Sequence, residues 1–234
     1  MKTLGLLGGM SWESTQLYYR LVNERVKQRL GGLHSAKLVL YSVDFHEIER
    51  LQHAGRWAES AAILVDAARS LQRAGAEFLV LCTNTMHKVA PDIEGAVALP
   101  LPHIADATGR RVAGAGLKTI GLLGTRFTME GDRDRLASRH GLTVLTPPPD
   151  ARDTVHRVIY EELCLGTIRD ASRSEYQSIV RDLVGRGAQA IVLGCTEIGL
   201  LLRPADAPVP LFDTAQIHAE EAALHALGGQ IDGE

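Results

Sequence analysis

Two short stretches of this chain carry side chains suited to moving protons: Cys195-Thr196-Glu197 and Cys82-Thr83-Asn84-Thr85. Each closes an apolar run, "GAQAIVLGCTEIGLL" at 187–201 and "GAEFLVLCTNTM" at 75–86. Laid together without a gap, Gly187-Ala188 falls on Gly75-Ala76 and Val192-Leu193 on Val80-Leu81. Cys195 then falls on Thr83, not on Cys82. One half of the chain offers a thiol where the other offers a hydroxyl. A thiol at a strand end beneath a helix N-terminus is expected to ionise more readily than a free one. A threonine hydroxyl stays protonated in that range, so it can donate or relay a proton but is a poor base. Two proton-handling groups on opposite sides of one carbon are what a racemase or epimerase requires. One removes a proton and the other returns it to the opposite face.

The elements that would hold these groups follow from the hydrophobic pattern. Strands are expected at 3–7, 36–43, 77–82, 118–123, 142–146 and 189–194. Helices are expected at 12–30, 57–74, about 129–140, 152–164, 172–186 and about 215–227. Apolar strands separated by helices predict buried parallel sheets with helices on both faces. The order recurs: "LGLLGG" (4–9) matches "IGLLGT" (120–125), and "LPHIADAT" (101–108) resembles "VPLFDTA" (209–215). Repeats some 110 residues apart predict two α/β halves of similar design. The glycine-rich, basic stretch 109–118 is read as the boundary. That gives one domain of residues 1–110 with 214–234, and a second of 111–213.

In such sheets ligands collect at strand carboxyl ends. Besides the two cysteine loops, Gly8-Gly9-Met10-Ser11 and Gly124-Thr125-Arg126 each follow a strand and precede a helix. Backbone N–H groups at such turns suit a carboxylate or a phosphate. A nucleotide is disfavoured, because "GLLGGM" lacks G-x-G-x-x-G and "GAGLKT" is too short for a P-loop. A metal is disfavoured as well. "HEIER" (46–50) lacks a second histidine, His218 and His225 read as core or surface residues, and each cysteine loop holds one cysteine.

With 234 residues, 45% of them hydrophobic, the chain can build one sizeable core or two small ones. A net charge of −3 without a basic run argues against nucleic acid or an anionic membrane. No apolar stretch approaches the ~20 residues of a membrane span, and "MKTLGLLGGM" reads as a strand and turn rather than a secretory signal. Three widely spaced cysteines fit a reducing cytoplasm.

"GLLGGMSWEST", "LCTNTMHKVA", "GLLGTRFTME" and "GCTEIGLL", in that order, resemble the aspartate/glutamate racemase family over nearly the whole chain. The resemblance implies two flavodoxin-like domains, a site between them, no cofactor, a homodimer, and catalysis by paired cysteines at equivalent strand ends. In the family the first cysteine directly precedes Asn-Thr. Here Thr83 does, with Cys82 one step earlier, as in a subgroup described as acting on aspartate and glutamate. Motif and repeat thus agree on Thr83. Cys195 is expected as the main base and Thr83 as its counterpart, with Cys82, on the other strand face, as an alternative base. Asn84, Thr85, Thr125 and Thr196 are expected around the α-carboxylate, alongside Met10. Glu197 is expected either to bind the α-ammonium or to cap the next helix. Where the family often places a lysine, Cys164 stands, so Arg126 and Gln52 are the candidates for a side-chain carboxylate. A broad-specificity racemase, a single-cysteine arylmalonate-type decarboxylase and a silent amino-acid-binding protein are the competing readings.

Overall fold

The computed structural model describes residues 1–229. Its chain forms two compact units, Met1–His103 with the residues from His218 onward, and Ile104–Ile217. Each contains one all-parallel sheet.

Unit 1 holds β1 (Leu4–Gly8), α1 (Trp12–Leu30), β2 (Leu38–Ser42), α2 (Phe45–His53), α3 (Trp57–Arg73), β3 (Phe78–Leu81) and α4 (Ala90–Ala96). The strand order is β2-β1-β3. Every residue of β1 and β3 is buried, whereas Leu40 and Tyr41 of β2 are exposed. That is the pattern of a central strand, β1, between a covered strand, β3, and an open edge strand, β2. Along α1 the inward face is Ser14, Thr15, Tyr18, Val22 and Val26. Trp12, at the start of the helix, is 63% exposed. The segment 45–53 was not expected as a helix. It forms α2, capped by the Asp44 carboxylate accepting from the His46 amide at 3.1 Å.

Unit 2 holds α5 (Ile104–Gly114), β4 (Thr119–Gly124), α6 (Arg126–His140), β5 (Thr143–Leu145), α7 (Pro149–Glu161), α8 (Asp170–Gly185), β6 (Ala190–Gly194), the single-turn α9 (Ile198–Leu201) and β7 (Leu211–Asp213). The last helix, α10 (Thr214–Ala226), begins in unit 2 and from His218 counts with unit 1. The strand order is β5-β4-β6-β7, so the first three strands repeat the order of unit 1.

The stretch 109–118, read from its glycines as a linker, is helical through Gly114. Gly109 is there for packing: a Cβ at that position would overlap the His140 ring of α6. Asp106 of the same helix pairs with Arg135 and His140 of α6.

The third sequence match needs a shift of register. The Leu79 amide donates to the Pro100 carbonyl at 2.8 Å, and the Ile191 amide donates to the Pro210 carbonyl at 3.0 Å. Leu79 and Ile191 are equivalent in the ungapped alignment, so Pro100, not Pro102, corresponds to Pro210. His103 then corresponds to Asp213. In unit 2 this segment extends into β7, whereas in unit 1 no strand is assigned to it.

Candidate active site

In both units the strand that opens the sheet ends in glycine and delivers the chain to a capped helix. After β1 the Ser11 hydroxyl accepts from the Ser14 amide at 3.3 Å. After β4 the Thr125 hydroxyl accepts from the Thr128 amide at 3.2 Å. Gly8 and Gly124 let the helix sit against the strand end: a Cβ on Gly8 would overlap Thr15, and one on Gly124 would lie 2.7 Å from the Gly194 carbonyl. Thr125 is thus already engaged as a helix cap, and its hydroxyl also meets the Thr128 hydroxyl at 3.2 Å.

The cysteine loops differ from this pattern. β3 runs into a 3-10 turn at Thr85–Val89, and β6 into α9, one turn long. Neither follows with a helix long enough to build much of a macrodipole at its start.

In unit 2 the site begins at Gly194, the last residue of β6. A Cβ there would stand 2.9 Å from the Leu123 carbonyl and 2.8 Å from a Leu122 methyl. The next residue, Cys195, is 7% exposed and donates from Sγ to Glu197 Oε2 at 3.0 Å. Thr196 donates to the same oxygen at 2.7 Å. Glu197 is buried. It makes no side-chain cap to α9, so the helix-capping alternative is excluded.

This geometry corrects the expectation for the thiol. Burial pushes the Cys195 thiol well above its usual range, and the neighbouring Glu197 charge pushes it further. Removing water from around a thiolate costs more than one helical turn returns. Cys195 therefore rests as a thiol hydrogen-bonded to a carboxylate.

One residue of this cluster was not singled out from the sequence. Asp213 ends β7, directly beside Leu193 of β6. Its Oδ1 accepts from the Ala215 amide at 2.9 Å and the Gln216 amide at 3.1 Å. Its Oδ2 lies against Gly199, where a Cβ would overlap it. Burial, opposed by those two amides, and the Glu197 charge leave its carboxyl pushed up to about 6. The signal was present in "VPLFDTA", but only the corrected register shows its position.

In unit 1 the equivalent loop carries Cys82, Thr83, Asn84 and Thr85, all buried. Cys82 is fully enclosed, with Sγ 3.5 Å from the Val80 carbonyl, and burial raises its thiol far above its usual range. It occupies the position that Gly194 holds in unit 2. The Ser14 hydroxyl donates to the Cys82 carbonyl at 3.0 Å, tying α1 to the strand end. His87 Nδ1 lies 2.7 Å from the Thr83 carbonyl, which fixes that nitrogen as the donor. The His87 ring packs at 4.5 Å on His103 and at 5.7 Å on His218, whose Nδ1 meets the Tyr18 hydroxyl at 2.9 Å.

Met10 and Gln52 support this loop from below. Met10 packs in the same core as Met86, and Gln52 Nε2 donates to Met86 Sδ at 2.9 Å. Arg126 is half exposed and paired with Asp153 at 2.9 Å. Cys164 lies in a 3-10 turn after α7, partly buried against the unit 2 core that includes Cys195. A groove of about 490 Å³ along α1, lined in part by Tyr19, Asn23, Lys27 and Leu33, contains none of the predicted site residues. Among the described residues no group of three or more His, Cys, Asp or Glu is placed to hold a metal ion. No helix among them is long and apolar enough to cross a membrane.

The profile of the Asp/Glu/hydantoin racemase family matches residues 7–222. The chain belongs to that family. It is an isomerase, a racemase of amino acids. A crystal structure of a provisionally named Asp/Glu racemase from Yersinia pestis is 58% identical, with a TM-score of 0.90 over 97% of this chain and 100% of that one. An aspartate racemase homologue from Pyrococcus horikoshii is 31% identical, with a TM-score of 0.81 over the same shares. The broad-specificity amino-acid racemase RacX of Bacillus subtilis is 20% identical over 97% of this chain and 99% of its own. The two-sheet architecture of this racemase agrees with the two solved structures.

Proposed function

We propose that this racemase interconverts the enantiomers of aspartate and glutamate without a cofactor, with Cys195 as the main base and Thr83 serving the opposite face of the same carbon. The observation that carries the reading is the 3.0 Å hydrogen bond from Cys195 Sγ to Glu197 Oε2 at the end of β6. The equivalence of Cys195 and Thr83 in the repeat supports the second half.

The resting thiol passes its proton to the Glu197 carboxylate. The thiolate then takes the α-hydrogen as a proton, and the C–H electron pair moves into the α-carboxylate as an enediolate. Thr83, or a water it holds, gives a proton to the opposite face and is replenished from solvent, while Glu197 releases the thiol's proton to solvent and the pair is reset. One proton leaves and one arrives, and nothing is oxidised. Asn84, Thr85 and Thr125 supply short donors near the α-carboxylate, where developing charge is best stabilised by groups already oriented; the Thr196 hydroxyl is committed to Glu197. Glu197 is left as proton acceptor rather than ammonium ligand. Cys82, enclosed and without a path to an acceptor side chain, is a packing residue in this scheme.

Broad specificity is the second reading. It is favoured by Cys164 at the expected lysine position and by the Arg126–Asp153 pair, which leaves Arg126 already engaged. The name of the Bacillus relative points the same way.

Proton NMR of L- and D-amino acids in D₂O tests both readings at once. Loss of the α-proton signal identifies substrates and handedness, and Cys195→Ala abolishes it. Undiminished exchange in that variant overturns the assignment. Release of CO₂ from a substituted malonate would instead favour a decarboxylase. The three free cysteines suit a reducing cytoplasm.

The proposal includes a homodimer. Leu40 and Tyr41 are exposed on the edge strand β2, and Leu33 just before it is fully exposed. An open edge with apolar side chains is self-complementary about a twofold axis. Light scattering in solution decides between one chain and two.

A further inference from the structure

We propose that Asp213 is a positioning residue that sets how tightly the Cys195–Glu197 pair holds its proton. The inference rests on the reading of Cys195 as the base. Asp213 contacts no reacting atom in that scheme and acts through Glu197.

Three observations place it there. First, Asp213 is held at both ends. Oδ1 accepts from two amides in the first turn of α10, and Oδ2 is seated on Gly199. Gly199 lies two residues beyond Glu197, so the carboxylate pins the segment on which Glu197 rides. Second, the Thr214 hydroxyl donates to the Leu193 carbonyl at 2.8 Å, fixing the start of α10 to the end of β6. The Asp213 charge therefore has a fixed distance to the thiol loop. Third, unit 1 does not repeat the arrangement. At the positions of Gly199 and Asp213 it carries His87 and His103, ring against ring at 4.5 Å. The carboxylate thus belongs to the half that carries the thiol.

Glu197, from the loop after β6, acts on both Cys195 and Asp213, and Cys164, from the turn after α7, acts on Cys195. Tyr176 of α8 feels the Cys195 charge in turn. α10 contributes backbone amides. Above about pH 6, where Asp213 is ionised, a negative charge beside Glu197 makes the pair more reluctant to give up its proton, and a more basic pair is a stronger acceptor for a carbon-bound hydrogen.

The experiment uses the full chain and Asp213→Asn. The amide oxygen can keep both hydrogen bonds to α10 while the charge is lost. Iodoacetamide alkylation of Cys195, followed across pH by peptide mass mapping, reads the thiolate without substrate. In Asp213→Asn the alkylation midpoint moves about one pH unit lower, so that below the midpoint the rate rises roughly tenfold. The acid limb of kcat/KM moves in the same direction, and KM changes less than kcat. Gly199→Ala, which displaces the carboxylate sterically, shifts the alkylation midpoint the same way. An unshifted midpoint in Asp213→Asn overturns the proposal. A shifted alkylation midpoint with an unmoved kcat/KM limb upholds the coupling and instead overturns Cys195 as the base.

Discussion

After β3 the chain reads Cys82-Thr83-Asn84-Thr85-Met86-His87, and at the end of β6 it reads Gly194-Cys195-Thr196-Glu197-Ile198-Gly199. The backbone hosts are alike: a buried parallel strand, a short turn, and a neighbouring segment bonded through Pro100 or Pro210. The chemistry is not alike. Behind Cys195 stand two carboxylates, Glu197 and Asp213. Behind Thr83 stand imidazoles, His87 on the Thr83 carbonyl and His103 against His87. In the proposed scheme the two similar scaffolds serve as an acceptor half and a donor half. Both members of the pair differ between the units: Gly199 packs with Asp213 in unit 2, and His87 packs with His103 in unit 1.

The largest effect expected from breaking this difference is at Glu197, whose counterpart is Thr85. Glu197→Gln keeps the size and can still accept from Thr196, but it cannot take the thiol proton. A drop in kcat of about 10²–10⁴, with KM within a few-fold, is the expected outcome. Steady-state racemisation followed by chiral chromatography measures it. Near-normal kcat would leave Glu197 a mere anchor for Thr196.

A smaller effect is expected from making the halves more alike. Thr83→Cys gives unit 1 a thiol without the two carboxylates behind it. It should raise the rate on the enantiomer that the native protein uses less well, by roughly 10-fold, because a thiol ionises far below a threonine hydroxyl. Thr83→Val should lower the rate in both directions. If neither substitution alters the ratio of the two directions, Thr83 is a bystander.

The comparison also shows what could be read from residue types alone. Strands and long helices were legible because β1, β3 and β6 are apolar throughout, β4 is apolar after Thr119, and α3 and α8 carry clear periodicity. The equivalence of Thr83 and Cys195 was legible because it needs only an ungapped alignment. Other features depended on distance in three dimensions. Gly109 reads as a breaker but is a contact point for the His140 ring. Cys195 reads as an activated thiol because the sequence shows a strand end and hides its burial. Asp213 escaped notice because its amide partners follow it in the chain, while the groups it influences lie some fifteen residues earlier.

At the strand ends the difference is one of volume, and its signature is stability. Gly194→Ala forces a methyl to within 2.9 Å of the Leu123 carbonyl. Backbone cannot give way as a side chain can, so a loss of about 1–3 kcal/mol is expected. Cys82→Ala empties a filled position and costs about 1–2 kcal/mol, by the logic of large-to-small core changes. Urea denaturation measures both. Activity at saturating substrate should survive Cys82→Ala. Its loss would return Cys82 to the reaction.

The subtlest difference lies between Asp213 and His103, and pH exposes it. The Asp213 carboxyl is pushed up to about 6 in the fold, against about 3.9 in an unfolded chain. The folded state thus prefers the protonated form. The sign follows from linkage: the contribution is complete below about pH 4 and is lost as pH rises through about 6. Asp213→Asn is neutral across that range, so it escapes the loss. Its thermal midpoint relative to the native chain should therefore be higher at pH 8 than at pH 4, with the gain appearing between those values. A midpoint difference that does not change with pH would mean that the carboxylate is no worse off folded than unfolded. The two amides of α10 would then balance burial and the Glu197 charge together.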